Sequence, residues 1–204
     1  MLQIFSQLKR RWESLTRHSV VCDLLGKAVY KKLLSGARRQ ASKSKVRLPA
    51  TFTDDDLVMV YWYTHQTLTK LTYKSLNAVL RNAPHPSRKK LLEISSHLTI
   101  ALEKLPSFQG DCWRTSSNDI GQGHQWATGN VVQYSAYMSS SKNPRTWPNL
   151  GGTFIFIQSK YGRYIGGISR YPHEEEVLFL PGSEFLVLTN NMSTGIRRLI
   201  LEEV

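Results

Sequence analysis

The stretch Glu174-Glu175-Glu176-Val177-Leu178-Phe179-Leu180 decides how this chain is read. Three acids run straight into four apolar residues, the pattern of a buried strand with a polar opening, here placed at 175–180. A strand sends alternate side chains to one face, so Glu174 and Glu176 are expected to point together and Glu175 away. Carboxylates at i and i+2 lie roughly 6–7 Å apart along a strand. That separation lets both act on one small reaction centre while dividing the labour. The plain alternative is an acidic strand end solvated by water.

Outward from this stretch, everything after Pro106 has the same character. Segments rich in Val, Ile, Phe, Tyr and Thr alternate with Gly, Asn, Ser and Pro turns, giving candidate strands at 111–115, 131–138, 153–158, 163–168, 184–189 and 196–202 beside 175–180. Before Pro106 the period is helical. Leu2, Phe5, Leu8, Trp12 and Leu15 form one apolar stripe, and Val21, Leu24, Leu25, Ala28, Val29 and Leu33 form a second. The polar run 35–45 then reads as a linker or loop. Thr53 before Asp54-Asp55-Asp56 is a strong helix start, because the hydroxyl caps free amides and the acids complement the positive helix end. A short helix is expected over 73–81, and Leu91, Ile94, Leu98, Ala101, Leu102 and Leu105 give a longer one from Ser87 to Pro106. Helices first and strands afterwards define an α+β fold with an antiparallel-rich core.

The chain has 204 residues, enough for one domain with a real core and an extra helical segment. No stretch has the apolar length needed to span a bilayer, and Lys9, Arg10, Arg11 and Glu13 interrupt any secretory signal. Cys22 and Cys112 lack metal or redox spacing and read as free thiols, and the six histidines are scattered singly, so no metal is expected. The formal charge of +12 is segregated: residues 1–47 hold twelve Lys/Arg against Glu13 and Asp23. The expected division is therefore a basic amphipathic helical segment at 1–47 and a catalytic domain at 48–204. The basic segment suits an anionic partner or a solvated surface equally well.

Two further motifs carry chemistry. Ser139-Ser140-Ser141 ends the aromatic strand after Tyr137-Met138, where a hydroxyl can hold a carboxylate or a substrate amide. Arg114 follows Cys112-Trp113 inside a candidate strand, and a half-buried guanidinium there needs an anion, with a fork suited to phosphate or carboxylate. The other reading of Arg114 is a structural ion pair.

Arginine on one strand, serine at the end of a later one and Glu-x-Glu opening a still later one resemble the catalytic constellation of mono-ADP-ribosyltransferases of the arginine–serine–glutamate class, of bacterial effector and toxin type. The resemblance covers about residues 52–190. It extends to Tyr63-Thr64, Tyr73, Leu76-Asn77 and Leu80-Arg81, and to Tyr164-Ile165-Gly166-Gly167-Ile168-Ser169 with Pro181 and Phe185. It implies helices followed by a two-sheet β core with an NAD cleft. It implies that Arg114 binds the pyrophosphate side of NAD, Ser139 orients Glu176, Glu176 stabilises the cationic sugar, and Glu174 positions or deprotonates an arginine acceptor. Tyr171, on the target-facing loop 169–173, is implied as an acceptor contact, and 142–150, with Trp147, flanks the nicotinamide end. Thr115 stands where the family has glycine and would meet the nicotinamide amide through its backbone, in a more crowded approach.

The implied activity is transfer of ADP-ribose from NAD to an arginine of a target protein, through an oxocarbenium-like ribosyl cation with release of nicotinamide. The implied setting is a secreted effector without a classical signal peptide, acting in the cytoplasm of a target cell. An immunity or inhibitor protein would be a further partner. The alternatives are the same chemistry on RNA, another side chain or water, and a non-enzymatic basic adaptor on a degenerate transferase fold.

Overall fold

The computed structural model describes residues 19–65, 71–118, 120–146 and 152–204. The apolar stripe over 2–15 lies outside the described residues, as does 147–150 of the segment assigned to the nicotinamide end. Among the described residues five helices come first: α1 (Val20–Leu25), α2 (Lys27–Ser44), α3 (Asp54–Thr64), α4 (Tyr73–Leu80) and α5 (Arg88–Glu103). Seven strands follow: β1 (Ser107–Ser116), β2 (Val131–Gln133), β3 (Met138–Ser141), β4 (Gly152–Tyr164), β5 (Glu176–Phe179), β6 (Glu184–Ser193) and β7 (Ile196–Glu203).

α3 is the centre of the helical layer, and its sequence shows why. Leu57, Val58, Met59, Val60, Trp62 and Tyr63 are buried right round the helix, as an internal helix requires. α2 covers one side of it, where Gly36 lets the Tyr61 ring come so close that a Cβ would lie 2.7 Å from it. The N-terminus of α3 closes in a capping box: Asp56 N–H donates to Thr53 Oγ1 at 3.3 Å and Thr53 N–H to Asp56 Oδ2 at 2.6 Å. Lys104 Nζ, beyond the end of α5, pairs with the same buried carboxylate at 2.8 Å. Val21, Leu33 and Ala37 join residues of α3, α4 and α5 in a single apolar core.

The strands form a seven-stranded sheet in the order β1-β3-β5-β4-β7-β6-β2. All pairs are antiparallel except β4–β7. β1 also pairs with β4, so β1, β3, β5 and β4 close into a ring. The faces of β5 divide between two cores: Leu178 packs on the helices, while Val177 and Phe179 enter the sheet core with Cys112, Ile155 and Phe185. Alternation therefore puts Glu176 on the helix side, between the layers.

Three expectations need correction. The run 35–45 is not a linker: α2 continues to Ser44, because Ala37 is buried against α3 and no Pro or second Gly breaks the helix. The strand expected over 131–138 is two, β2 on β6 and β3 on β5, with a break at 134–137. The strands expected at 153–158 and 163–168 are one long strand, β4, which pairs with β7 along its first half and β5 at its end. After Tyr164 the chain turns, with Ile168 N–H donating to Ile165 O at 2.9 Å.

The bend that lets β4 serve both partners is fixed from the far end of the chain. The Glu203 carboxylate, 2% exposed, accepts the backbone N–H groups of Lys160, Tyr161 and Gly162 at 2.8, 2.7 and 3.1 Å. Glu203→Ala orphans these three amides and is expected to cost about 3 kcal/mol, read as a lower urea midpoint at an unchanged slope. A midpoint within error of wild type would show that the bend holds itself.

Candidate active site

Glu176 opens β5, Ser139 lies one residue into β3 and Arg114 sits late in β1, so the β1–β3–β5 pairing brings the three motifs side by side. The ladder pairs Trp113 with Ser141, Ser141 with Glu176 and Ser139 with Leu178. A cleft of about 230 Å³ is lined by Tyr63, Thr64, Tyr73, Arg114, Thr115, Ser139, Tyr171, Glu174 and Glu176. All six site residues named from the sequence, namely Arg114, Thr115, Ser139, Tyr171, Glu174 and Glu176, meet there.

The reason expected for the two acids was incorrect. Glu174 is not on the strand face of Glu176. It ends a single 3₁₀ turn, Pro172–Glu174, and Glu175 takes a left-handed conformation, φ 45°, before the strand begins. The turn, not a period of two, swings Glu174 into the cleft. Glu175 leaves it, with its carboxylate 3.4 Å from Lys142 Nζ.

The three serines have separate tasks. Ser140 Oγ donates to Val177 O at 3.0 Å and Ser141 Oγ to Glu174 O at 2.7 Å, so both lock β3 to the acidic segment. Ser139 faces the cleft beside Glu176, whose carboxyl it pulls down, and lies 3.5 Å from the Tyr63 hydroxyl. Behind it, Asn77 Nδ2 donates to Tyr63 OH at 3.3 Å and Asn77 Oδ1 accepts from Tyr137 N–H at 3.1 Å. Residues of α3 and α4 thus fix the strand that carries Ser139.

Glu176 is 5% exposed. Burial raises its carboxyl to about 7; Ser139 and Arg114 pull the value down and Glu174 pushes it up. Burial also raises Glu174, opposed by His173. Arg114 Nη1 donates to Ser139 O at 2.5 Å, while its buried Nε has no hydrogen-bond partner. Among the described residues Arg114 makes no ion pair with an acid, so the structural ion pair is not what holds it. A half-buried guanidinium with an idle, buried N–H in a cleft has the geometry that suits an anionic ligand. The neighbouring thiol is not a nucleophile: burial pushes Cys112 up to about 12.

Tyr63, Thr64 and Tyr73 also line the cleft. They belong to the segments that match the family, without an expected role in the site; the signal for Tyr63 and Thr64 was an apolar run, 57–60, leading into aromatic residues and tyrosine–threonine at the helix end. Among the described residues no group of three His, Cys, Asp or Glu could hold a metal ion, and no helix is long and apolar enough to cross a membrane.

A helical layer over an antiparallel-rich sheet, with Arg, Ser and two Glu converging between them, is the ADP-ribosyltransferase architecture. The type III effector XopAI of Xanthomonas axonopodis pv. citri superposes with a TM-score of 0.70 at 18% identity, covering 99% of this chain and 98% of that one. The Vibrio splendidus toxin Vis, crystallised with agmatine, gives a TM-score of 0.66 at 19% identity over 85% of each chain. Residues 6–204 match the NAD:arginine ADP-ribosyltransferase family, and the chain belongs to it. It is 28% identical over 184 residues to the NAD(+)–protein-arginine ADP-ribosyltransferase Tre1 of Serratia proteamaculans (strain 568), covering 90% of this chain and 40% of that protein. The chain spans less than half the length of the curated relatives it matches.

Proposed function

We propose that this protein is a toxin-type mono-ADP-ribosyltransferase that cleaves NAD and transfers ADP-ribose to an arginine of a target protein. One observation carries the reading. A buried carboxylate, Glu176, and a half-buried guanidinium whose buried Nε–H is unused, Arg114, share one cleft and both meet Ser139. NAD has a cationic nicotinamide-ribose end and an anionic pyrophosphate, which these two groups match.

The chemistry follows from charge. When the bond from ribose to nicotinamide breaks, its electron pair leaves with the ring nitrogen and nicotinamide departs neutral, so no general acid is required. The ribose is left cationic, as in glycoside hydrolysis. A fixed carboxylate stabilises that charge, and does so more strongly in a low-dielectric cleft. Glu176, ionised and held by Ser139, has this role. A guanidinium nitrogen then bonds to the ribose carbon and loses its proton. Glu174, raised by burial, accepts it. Arg114 holds pyrophosphate, the Thr115 backbone flanks the nicotinamide, and Tyr171 contacts the acceptor. The catalytic domain is 48–204, with 1–47 a basic segment whose described part closes the helical layer. Its excess cations suit an acidic face of the target or of an inhibitor protein. Relatives described as type III effectors support a secreted protein that acts inside a target cell.

The test is incubation of wild type with NAD and a cell lysate. Each nicotinamide released in excess of hydrolysis is expected to match one ADP-ribosyl group on a protein, resistant to nuclease. A nuclease-sensitive product would move the acceptor to RNA, and nicotinamide release without an adduct would leave water as the acceptor.

A further inference from the structure

The loop that brings Tyr171 and Glu174 to the cleft is tied at one end to α3 by contacts outside the catalytic set. Arg170 N–H donates to Thr64 Oγ1 at 3.0 Å, and Thr64 Oγ1 in turn donates to Tyr61 O at 3.0 Å. The Arg170 side chain reaches back so that its Nη1 lies 2.6 Å from His65 Nε2. The guanidinium also sits 5.7 Å from the centre of the Tyr171 ring. Ser169, fully buried, accepts Tyr171 N–H on its Oγ at 3.0 Å. The loop is thus anchored through residue 170 at one end and through the Ser141 bond to Glu174 O at the other, and Tyr171, which lies between them, takes its position from the first anchor.

We propose that His65 is a positioning residue for arginine transfer: its Nε2 accepts from Arg170 and clasps the acceptor loop to the end of α3. The inference rests on the transferase reading above. A guanidinium can only donate, so His65 must be the acceptor and therefore neutral, with its proton on Nδ1. The surroundings favour that form. His65 is 8% exposed, and burial, then Arg170, then Lys32 from α2 all lower its basicity. Among the described residues these are the charged groups that bear on it; Tyr61 adds only a ring edge at 6.0 Å. Protonation removes the acceptor and sets a third cation beside Arg170 and Lys32, so the clasp opens in acid. Neither His65 nor Arg170 lines the cleft, and NAD hydrolysis needs no acceptor loop in register. The clasp therefore acts on transfer and leaves hydrolysis alone.

The experiment uses agmatine as a small guanidino acceptor, with hydrolysis of NAD in its absence as the internal control. His65→Ala and Arg170→Ala are expected to raise KM for agmatine about tenfold while hydrolysis stays within about twofold of wild type. His65→Gln keeps a neutral acceptor near the Nε2 position and is expected to hold KM near the wild-type value. As pH falls below about 6.5, from which burial lowers His65, the wild-type KM for agmatine is expected to climb more steeply than that of His65→Gln. Comparing the two cancels the titration of Glu174 and Glu176. Retained hydrolysis with an unmoved KM in both alanine variants overturns the clasp alone. Superimposed acid profiles, or a Gln variant as impaired as the Ala one, overturn it too. A wild-type protein that releases no nicotinamide from NAD overturns the underlying transferase reading, and the clasp with it.

Discussion

Glu176→Gln is expected to lower NAD cleavage on the order of 10²–10³-fold and at the same time to make the protein more stable at alkaline pH. Both effects have one cause. The carboxyl is carried from 4.5 to about 7 chiefly by burial, so the fold favours its neutral form while catalysis needs the charged one. The sign follows from linkage: a folded value above the unfolded one gives stability that is present below about 4.5 and lost as pH rises through about 7. The full shift amounts to about 3 kcal/mol. Glutamine has nothing to lose over that range. Its melting temperature is therefore expected to exceed that of wild type by about 5–10 °C at about pH 9, with the gap closing by about pH 5. The wild-type kcat/KM for NAD is expected to fall tenfold per unit below about 7. Equal melting temperatures at both pH values would mean that Glu176 is not desolvated in solution, and an active Gln variant that the charge is not used. Desolvation of this kind at the proposed catalytic carboxylate would exchange stability for activity.

Glu174→Gln separates the two halves of the reaction. Loss of a general base typically costs 10²–10⁴-fold, and about that loss is expected in transfer to an arginine acceptor. Hydrolysis of NAD should survive, because nicotinamide leaves without help from Glu174. A second readout is specific to the geometry. Glu174 is one of the groups that raise Glu176, so removing its charge lets Glu176 ionise more readily. The acid limb of the hydrolysis profile is therefore expected to move to lower pH in the Gln variant. Loss of hydrolysis in parallel with transfer, or an acid limb that stays in place, would show that the two carboxylates do not share the cleft as described.

The sequence made the site easier to read than its support. Thr53 with Asp54 to Asp56 announced α3 because a capping box is local, written in four adjacent residues. Arg114, Ser139 and Glu176 could be picked out because each is a polar residue placed against a strand pattern, and the strand order that joins them matched a known constellation. Glu174 was expected beside Glu176 on the wrong geometry, although it does line the same cleft. A period-two argument cannot see a 3₁₀ turn followed by a non-glycine residue at φ 45°, and the Ser141 and Lys142 contacts that help to hold that turn come from across the ladder. The long β4 was missed because Tyr161-Gly162 reads as a break, and the carboxylate that makes it a bend comes from Glu203, on another strand. The continuation of α2 was missed for a related reason. Its second half is polar along the chain, and it meets α3 through Gly36, Ala37 and the Arg38–Asp54 pair. Features fixed by neighbouring residues were legible; those fixed by partners across the fold were not.

We propose that Glu176 and Arg114, in one cleft, cleave NAD and pass its ADP-ribosyl group to a guanidino nitrogen. It is tested most directly by mass spectrometry of agmatine incubated with NAD and either wild type or Glu176→Gln. The account predicts one ADP-ribosyl adduct per agmatine from wild type and almost none from the variant. Unmodified agmatine with the wild-type protein, or equal adduct from both proteins, would contradict it.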